Sequence, residues 1–234
     1  SKKLFLHFEA IMGKSKIYVN GKLLAEHFGG YLPVVVDVTD ALEFGKENLI
    51  AVWADNSNDP NYPPGKQQEV LDFTYFGGIY RDCWLIAHNQ VFITDPNYEN
   101  EEAGGGLFVA YNNVSDHSAE VLLKIQIRNS GRKAFKGVVE YELQQPDGQQ
   151  VASLNSVIRI KPGKSTYSSD KLTVKGPMLW SPENPALYNL IVRIRDEKGN
   201  PIDGYRRRIG IRSIEFKGED GFWLNGKPYE APLI

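Results

Sequence analysis

The sequence contains little of what metal-binding, redox and membrane proteins depend on. Its 234 residues include one cysteine, two methionines and four histidines. A single cysteine, Cys83, can form neither an internal disulfide nor a thiolate cluster for zinc or iron–sulfur. No stretch approaches the roughly 18 consecutive apolar residues that a membrane-spanning helix needs. We therefore expect no disulfide, no thiolate-bound metal and no membrane partner.

The chain also lacks an excess of either charge. It has 27 basic and 29 acidic side chains, for a formal net charge of -2. Without a broad basic surface, we expect no nucleic-acid partner. The histidines are scattered without ligand spacing, and the polar loop 56–61 lacks the ordered aspartates of a calcium loop. We therefore predict no metal site within this chain.

Helical spacing of apolar residues is nearly absent, and period-two alternation takes its place. Leu4, Leu6 and Phe8 alternate with Phe5, His7 and Glu9, and the segments 121–127 and 188–194 repeat the period of two. Such alternation is typical of strands with one face on a core. Turn signals such as Asn20-Gly21 separate the runs, and 22 glycines with 13 prolines fit that punctuation. The sequence predicts an all-β protein made of sandwiches.

The chain changes character near residues 88–90. The earlier part is rich in aromatics and loops, whereas the later part has regular amphipathic strands with turns at sandwich-like spacing. Residues 96–106 are acidic and glycine-rich, but strand-like segments flank them, so we interpret them as a loop or bend within one sandwich. Cys83, next to Trp84, is predicted to lie in a buried strand as a small apolar residue.

Three local patterns occur in a fixed order along the chain. The first is Ile17-Tyr18-Val19-Asn20-Gly21-Lys22, followed by Gly29-Gly30-Tyr31-Leu32-Pro33, Asp37-Val38-Thr39 and Gly45-Lys46-Glu47-Asn48. The second is Asp72-Phe73-Thr74-Tyr75-Phe76-Gly77-Gly78-Ile79-Tyr80-Arg81-Asp82. The third combines Leu179-Trp180-Ser181-Pro182-Glu183-Asn184-Pro185, Arg208-Ile209-Gly210-Ile211-Arg212 and Phe222-Trp223-Leu224-Asn225-Gly226-Lys227-Pro228. Together they resemble glycoside hydrolase family 2, which includes β-galactosidases, β-glucuronidases and β-mannosidases.

The resemblance implies a modular arrangement. Residues 1–88 would form part of a jelly-roll sugar-binding domain, and residues 89–216 an immunoglobulin-like sandwich. Residues 217–234 would lead into a catalytic (β/α)8 barrel, and both ends of the chain look cut. A retaining glycosidase needs two carboxyl groups about 5–5.5 Å apart. In this family the pair lies in the barrel, so we expect no catalytic residue here and no activity of this chain alone.

Asp72 is the candidate substrate-binding residue. A carboxylate accepts hydrogen bonds from sugar hydroxyls, and aromatic faces pack on the apolar faces of a pyranose. The alternative is an aspartate that caps amides of its own loop. The resemblance places Asp72 against the nonreducing-end sugar, with Phe73, Tyr75 and Arg81 as supporting loop residues. For Arg81, an ion pair with Asp82 that holds the loop is the favoured interpretation.

The resemblance implies a retaining exo-β-glycosidase, of which β-galactosidase is the favoured example, with a β-linked saccharide as partner. No cofactor is expected, although a monovalent or divalent cation would be compatible with a longer protein. Homo-oligomerisation through the sandwiches stays open, and a periplasmic or secreted location is favoured over the cytoplasm. The alternative is a free-standing carbohydrate-binding or adhesion protein without hydrolase activity. That alternative predicts exposed tyrosine or tryptophan rows on one sheet face.

Overall fold

The computed structural model describes residues 2–102 and 104–230, and it divides the chain into two compact units. The first comprises Ser1–Gln90 and Asp95–Ala103, and the second comprises Val91–Thr94 and Gly104–Ile234. The sequence predicts a single boundary near residues 88–90. In the structure the chain passes into the second unit at that point, returns to the first at Asp95, and leaves it again after residue 103.

The first unit is built from three small antiparallel sheets. Its strands are β1 (Lys3–Phe8), β2 (Ile11–Met12), β3 (Lys14–Val19), β4 (Lys22–Phe28), β5 (Val34–Asp37), β6 (Ile50–Asp55), β7 (Gly78–Ile79) and β8 (Cys83–His88). Their orders are β5-β1-β8, β4-β3-β6 and β2-β7. Alternate residues of β1 and β3, among them Leu6, Phe8 and Ile17, are buried in one shared apolar core. This is the expected partial jelly roll.

The second unit is an immunoglobulin-like sandwich of long strands. Its strands are β9 (Val91–Ile93), β10 (Leu107–Asn112), β11 (Ser118–Asn129), β12 (Phe135–Gln144), β13 (Gln150–Ile160), β14 (Lys164–Lys175), β15 (Tyr188–Asp196) and β16 (Pro201–Ile209). One sheet has the order β10-β11-β14 with β9 also paired to β11, and the other has the order β13-β12-β15-β16. Both send alternate apolar side chains into a single core, so the predicted all-β fold is confirmed.

A short hairpin sheet follows the sandwich. It consists of β17 (Ile214–Phe216), β18 (Phe222–Leu224) and β19 (Lys227–Pro228). Asn225 connects it to an earlier turn, because its Nδ2 donates to the Trp180 carbonyl at 3.0 Å and its Oδ1 accepts from Ser213 N at 3.1 Å. The hairpin begins at Ile214, three residues before the predicted lead-in of residues 217–234, whose last four residues lie outside the described ranges.

Two local predictions were wrong. The segment 96–106 was expected to be a loop or bend within one sandwich, but Asp95–Ala103 belong to the first unit although the strands on either side, β9 and β10, belong to the second. This segment includes one helical turn, α1 (Pro96–Glu99), which begins there because the Asp95 carboxylate accepts hydrogen bonds from the amides of residues 97 and 98. Cys83 is exposed, not buried. It lies at the start of β8, which is an edge strand of its sheet, so alternation along that strand does not guarantee burial.

Candidate functional site

The aromatic-rich segment that carries Asp72 emerges from the end of β6 and ends at β7, which pairs with β2 in a separate two-stranded sheet. Asp55 ends β6 and accepts a hydrogen bond from Ser57 N at 2.9 Å, which starts the turn away from the sheet. Farther along, the Lys14 ammonium lies 2.8 Å from Asp59 Oδ2 and 5.7 Å from the centre of the Tyr62 ring. Lys14 of β3 therefore fixes the first half of this loop to the sheet.

The ion pair between Lys14 and Asp59 changes the pKa of both groups. The hydrogen bond from Lys14 lowers the pKa of Asp59, and the amide of Asn61 adds to this effect. The same hydrogen bond raises the pKa of Lys14. The amide of Ser57 likewise lowers the pKa of Asp55. All three shifts favour the charged forms, so the loop is held by ionised groups at neutral pH.

We expect the loop to open as the pH falls. The pKa of Asp59 is lower in the folded protein, so its stabilising contribution is present above the ordinary aspartate pKa and is lost as the pH drops through the folded value. Hydrogen exchange of the Asn61 amide should therefore accelerate at acidic pH, relative to amides in β11. Lys14→Met should remove most of this pH dependence. If that variant keeps the full dependence, the ion pair between Lys14 and Asp59 does not hold the loop to the sheet.

Asp72 is exposed in the second half of the loop. It lies in a shallow concavity whose other lining residues are Gln68, Glu69, Leu71, Phe73 and Thr74. Within residues 2–102 and 104–230, its carboxylate has no hydrogen-bond or ion-pair partner. The alternative in which Asp72 caps amides of its own loop is therefore not what the structure shows. Its oxygens are available to a ligand.

The three supporting residues have different environments. The Phe73 ring is half exposed beside Asp72 in the same concavity. Tyr75 faces the first half of the loop, where its hydroxyl lies 3.3 Å from Asn58 Oδ1. The guanidinium of Arg81 lies 5.6 Å from the centre of the Tyr80 ring. The structure thus brings Phe73 to Asp72, while Tyr75 links the two halves of the loop.

The favoured ion pair between Arg81 and Asp82 is not present in the described part of the chain, where Arg81 is instead placed against Tyr80. The Tyr80 hydroxyl donates a hydrogen bond to the carbonyl of Gly30, and the Asp82 carbonyl accepts one from Glu9 N at 3.0 Å. The loop end is therefore fixed by backbone carbonyls and an aromatic ring.

Two residues that hold the Asp72 loop in place, Lys14 and Asn56, were not identified from the sequence. A Cβ at Gly77 would lie 2.6 Å from the Asn56 side chain, so the glycine allows the two ends of the loop to approach closely. Neither contact has a local signal, because Lys14 and Asp59 are far apart in sequence. Only the pairing of β3 with β6 brings them together.

Two features of other protein classes were not found in the described ranges. No group of three or more histidine, cysteine, aspartate or glutamate side chains is arranged to hold a metal ion there. No helix in the same ranges is long and apolar enough to cross a membrane. The candidate site is the Asp72 concavity, because an exposed carboxylate and a half-exposed aromatic ring lie together there.

Two family models match the chain in succession. The model described as "Glycosyl hydrolases family 2, sugar binding domain" matches residues 1–89, and the one described as "Glycosyl hydrolases family 2" matches residues 106–212. A β-galactosidase of Thermoanaerobacter pseudethanolicus is 32% identical over 97% of this chain, which spans 28% of that relative. A β-glucuronidase of Formosa agariphila is 31% identical over 97% of the chain, which spans 23% of it.

Solved structures agree with the sequence matches. A Bacteroides uniformis β-glucuronidase 2, covalently bound to cyclophellitol-6-carboxylate aziridine, superposes with a TM-score of 0.85 at 31% identity. The match covers 98% of this chain and 26% of that one. A glycosyl hydrolase family 2 member from Bacteroides cellulosilyticus gives a TM-score of 0.83 at 30% identity, covering 97% and 28%. The chain thus spans about a quarter of the proteins it matches.

Proposed function

The chain belongs to glycosyl hydrolases family 2, and from this premise we propose that it is the non-catalytic, substrate-contacting part of a retaining exo-β-glycosidase. The two carboxyl groups that such a reaction needs, about 5–5.5 Å apart, would lie outside these 234 residues. The loop that carries Asp72 would reach the sugar from this part of the protein.

The observation that carries the proposal is the unpartnered, exposed carboxylate of Asp72 beside the half-exposed ring of Phe73. A carboxylate accepts hydrogen bonds from two vicinal hydroxyls, and an aromatic ring covers apolar C–H groups of a pyranose. Charge-assisted hydrogen bonds are about twice as strong as neutral ones. Asp72 would thus bind and orient the nonreducing-end sugar, and it would lower the barrier only so far as these bonds strengthen in the transition state.

We favour a β-galactoside over a β-glucuronide as the sugar. Both activities occur among the relatives, at 32% and 31% identity, so similarity does not choose between them. Charge favours the galactoside. In the described part of the chain no cation lies beside the Asp72 carboxylate, so nothing there would offset its repulsion of an anionic glucuronide. A neutral galactoside offers only hydroxyl donors and incurs no such repulsion.

The test uses two proteins and two aryl glycosides. The 234-residue chain alone should turn over neither p-nitrophenyl β-galactoside nor p-nitrophenyl β-glucuronide. The longer protein that carries the chain should hydrolyse the galactoside with the higher kcat/KM. Turnover by the short chain would contradict its non-catalytic role, and a higher kcat/KM for the glucuronide would replace the galactoside with that second candidate.

A further inference from the structure

The outer face of the sheet β4-β3-β6 exposes a set of large apolar side chains, and the loop around Asp72 contacts it at one end, beside Phe28. Phe28 is 63% exposed, Trp53 47% and Leu23 43%. They occupy three different strand positions on one face, because strand register places Phe28 opposite Lys14, Trp53 opposite Lys16 and Leu23 opposite Tyr18. Inward-facing neighbours such as Ile17 and Val19 are buried in the core. This set, with Tyr18, is hereafter the aromatic face.

Polar groups alternate with the rings of the aromatic face. Lys16 and Glu26, cross-strand neighbours, form an ion pair of 2.7 Å whose side chains are both more than two-fifths exposed. The Lys16 ammonium lies 5.9 Å from the centre of the Trp53 ring. Phe28 is flanked by Tyr62, with ring centres 6.4 Å apart. Hydrogen-bonding groups and apolar ring faces are therefore interleaved across the sheet.

The size of the aromatic face limits what it can bind. Three strands about 4.8 Å apart, each with six or seven residues rising about 3.4 Å, give a surface of roughly 300 Å². A stable protein–protein interface buries about 800 Å² on each partner. A second copy of this chain would therefore find too little area here for a stable dimer, whereas a ligand of a few linked rings would fit.

From these observations we infer that the aromatic face is a binding platform for an extended, β-linked saccharide chain. A pyranose has an apolar face of C–H groups and a rim of hydroxyls, which matches rings interleaved with an ion pair. Trp53 and Phe28 lie on the same side of the sheet, where an extended β-1,4 chain can contact both rings, whereas a coiled α-1,4 chain curves away. Trp53 and Phe28 provide the stacking surfaces, and Lys16 and Glu26 bind the hydroxyls.

The platform borders the Asp72 loop but does not depend on it. Trp53 precedes Asp55, from which the loop starts, and Tyr62 of the loop packs beside Phe28. A chain bound on the aromatic face would lie within the same unit as the concavity of Asp72. The role differs, because the aromatic face would hold sugar units of a polymer, whereas Asp72 would contact the terminal one.

Binding to the 234-residue chain tests the inference without any catalytic activity. Calorimetric titration with cellohexaose and β-1,4-mannohexaose, both extended chains, should give saturable binding of at least one, with the coiled maltohexaose much weaker. Trp53→Ala and Phe28→Ala should each weaken that binding about tenfold. Trp84→Ala is the matched control, because Trp84 is similarly exposed, at 52%, but lies in the sheet β5-β1-β8 and not in the aromatic face. The Asp72→Asn chain should bind as the unaltered chain does, which separates this inference from the proposed function.

Three results would overturn the inference. They are no binding of either β-linked hexasaccharide, equal weakening by Trp84→Ala and Trp53→Ala, and a concentration-dependent dimer that Trp53→Ala abolishes. Thermal unfolding of each variant shows whether it is folded. If Trp53→Ala unfolds, Phe28→Ala and the conservative Trp53→Phe decide the matter, since Trp53→Phe should retain most of the binding.

Discussion

Replacing Asp72 with asparagine in the longer protein that carries this chain is expected to lower kcat/KM for an aryl β-galactoside, the proposed substrate, about 100-fold. Hydrogen bonds to a charged group contribute about 1.5–3 kcal/mol each, and about 2.7 kcal/mol corresponds to a factor of 100 in rate. Asparagine keeps the size and one oxygen but loses the charge and half of the acceptor capacity. Because Asp72 is exposed and unpartnered within the described ranges, the midpoint of thermal unfolding should not change.

The matched control is Glu69→Gln, since Glu69 lines the same concavity and carries the same charge. Its kcat/KM should stay within about twofold of that of the unaltered protein, because an exposed charge that does not contact the substrate contributes little to the binding free energy. If Asp72→Asn has unaltered kinetics, Asp72 does not bind the substrate. If both variants lose activity equally, the concavity acts through its overall charge and not through Asp72.

Replacing Gly13 with alanine destabilises the first unit by about 3 kcal/mol, as expected when a close backbone approach and an unfavourable φ coincide. Gly13 has φ +87° and connects β2 to β3. A Cβ there would lie 2.0 Å from the carbonyl oxygen of Asp55, far inside van der Waals contact. Since that oxygen belongs to the backbone, relief requires movement of β6 at the point where the Asp72 loop starts.

Gly21→Ala is the control for this prediction. Gly21 has φ +80°, so alanine is strained there as well, but no heavy atom lies within 4 Å of its Cβ position. We expect a loss of about 1 kcal/mol for this change. Hydrogen exchange at amides of β1 and β3 reports the free energy of opening of the first unit, and amides of β11 report the second. Equal losses in the two variants would show that the contact with Asp55 is relieved without cost.

The Asp72 loop shows how far sequence reasoning reaches in this protein. The motif around Gly77-Gly78 identified the segment, and the structure places Asp72 and Phe73 in one concavity. The neighbour pair Arg81 and Asp82 was predicted to form an ion pair, but Arg81 lies against Tyr80 instead. Lys14 was missed entirely, although it holds Asp59 at 2.8 Å. Contacts between distant segments have no local pattern and depend on strand register.

The amino-acid sequence by itself determined the fold class and the family. Period-two alternation in segments such as 188–194 indicates which side chains are buried in the core, and this pattern predicts strands with one buried face. The ordered motifs needed no coordinates to be recognised. Tertiary structure alone decided which exposed residues face a common direction. Trp53 and Phe28 are separated in the chain by 24 residues that include strand β5, and only the register of β3 with both its neighbours makes them one surface. The same physics explains Cys83, since burial depends on what covers a strand and not on the strand's own alternation.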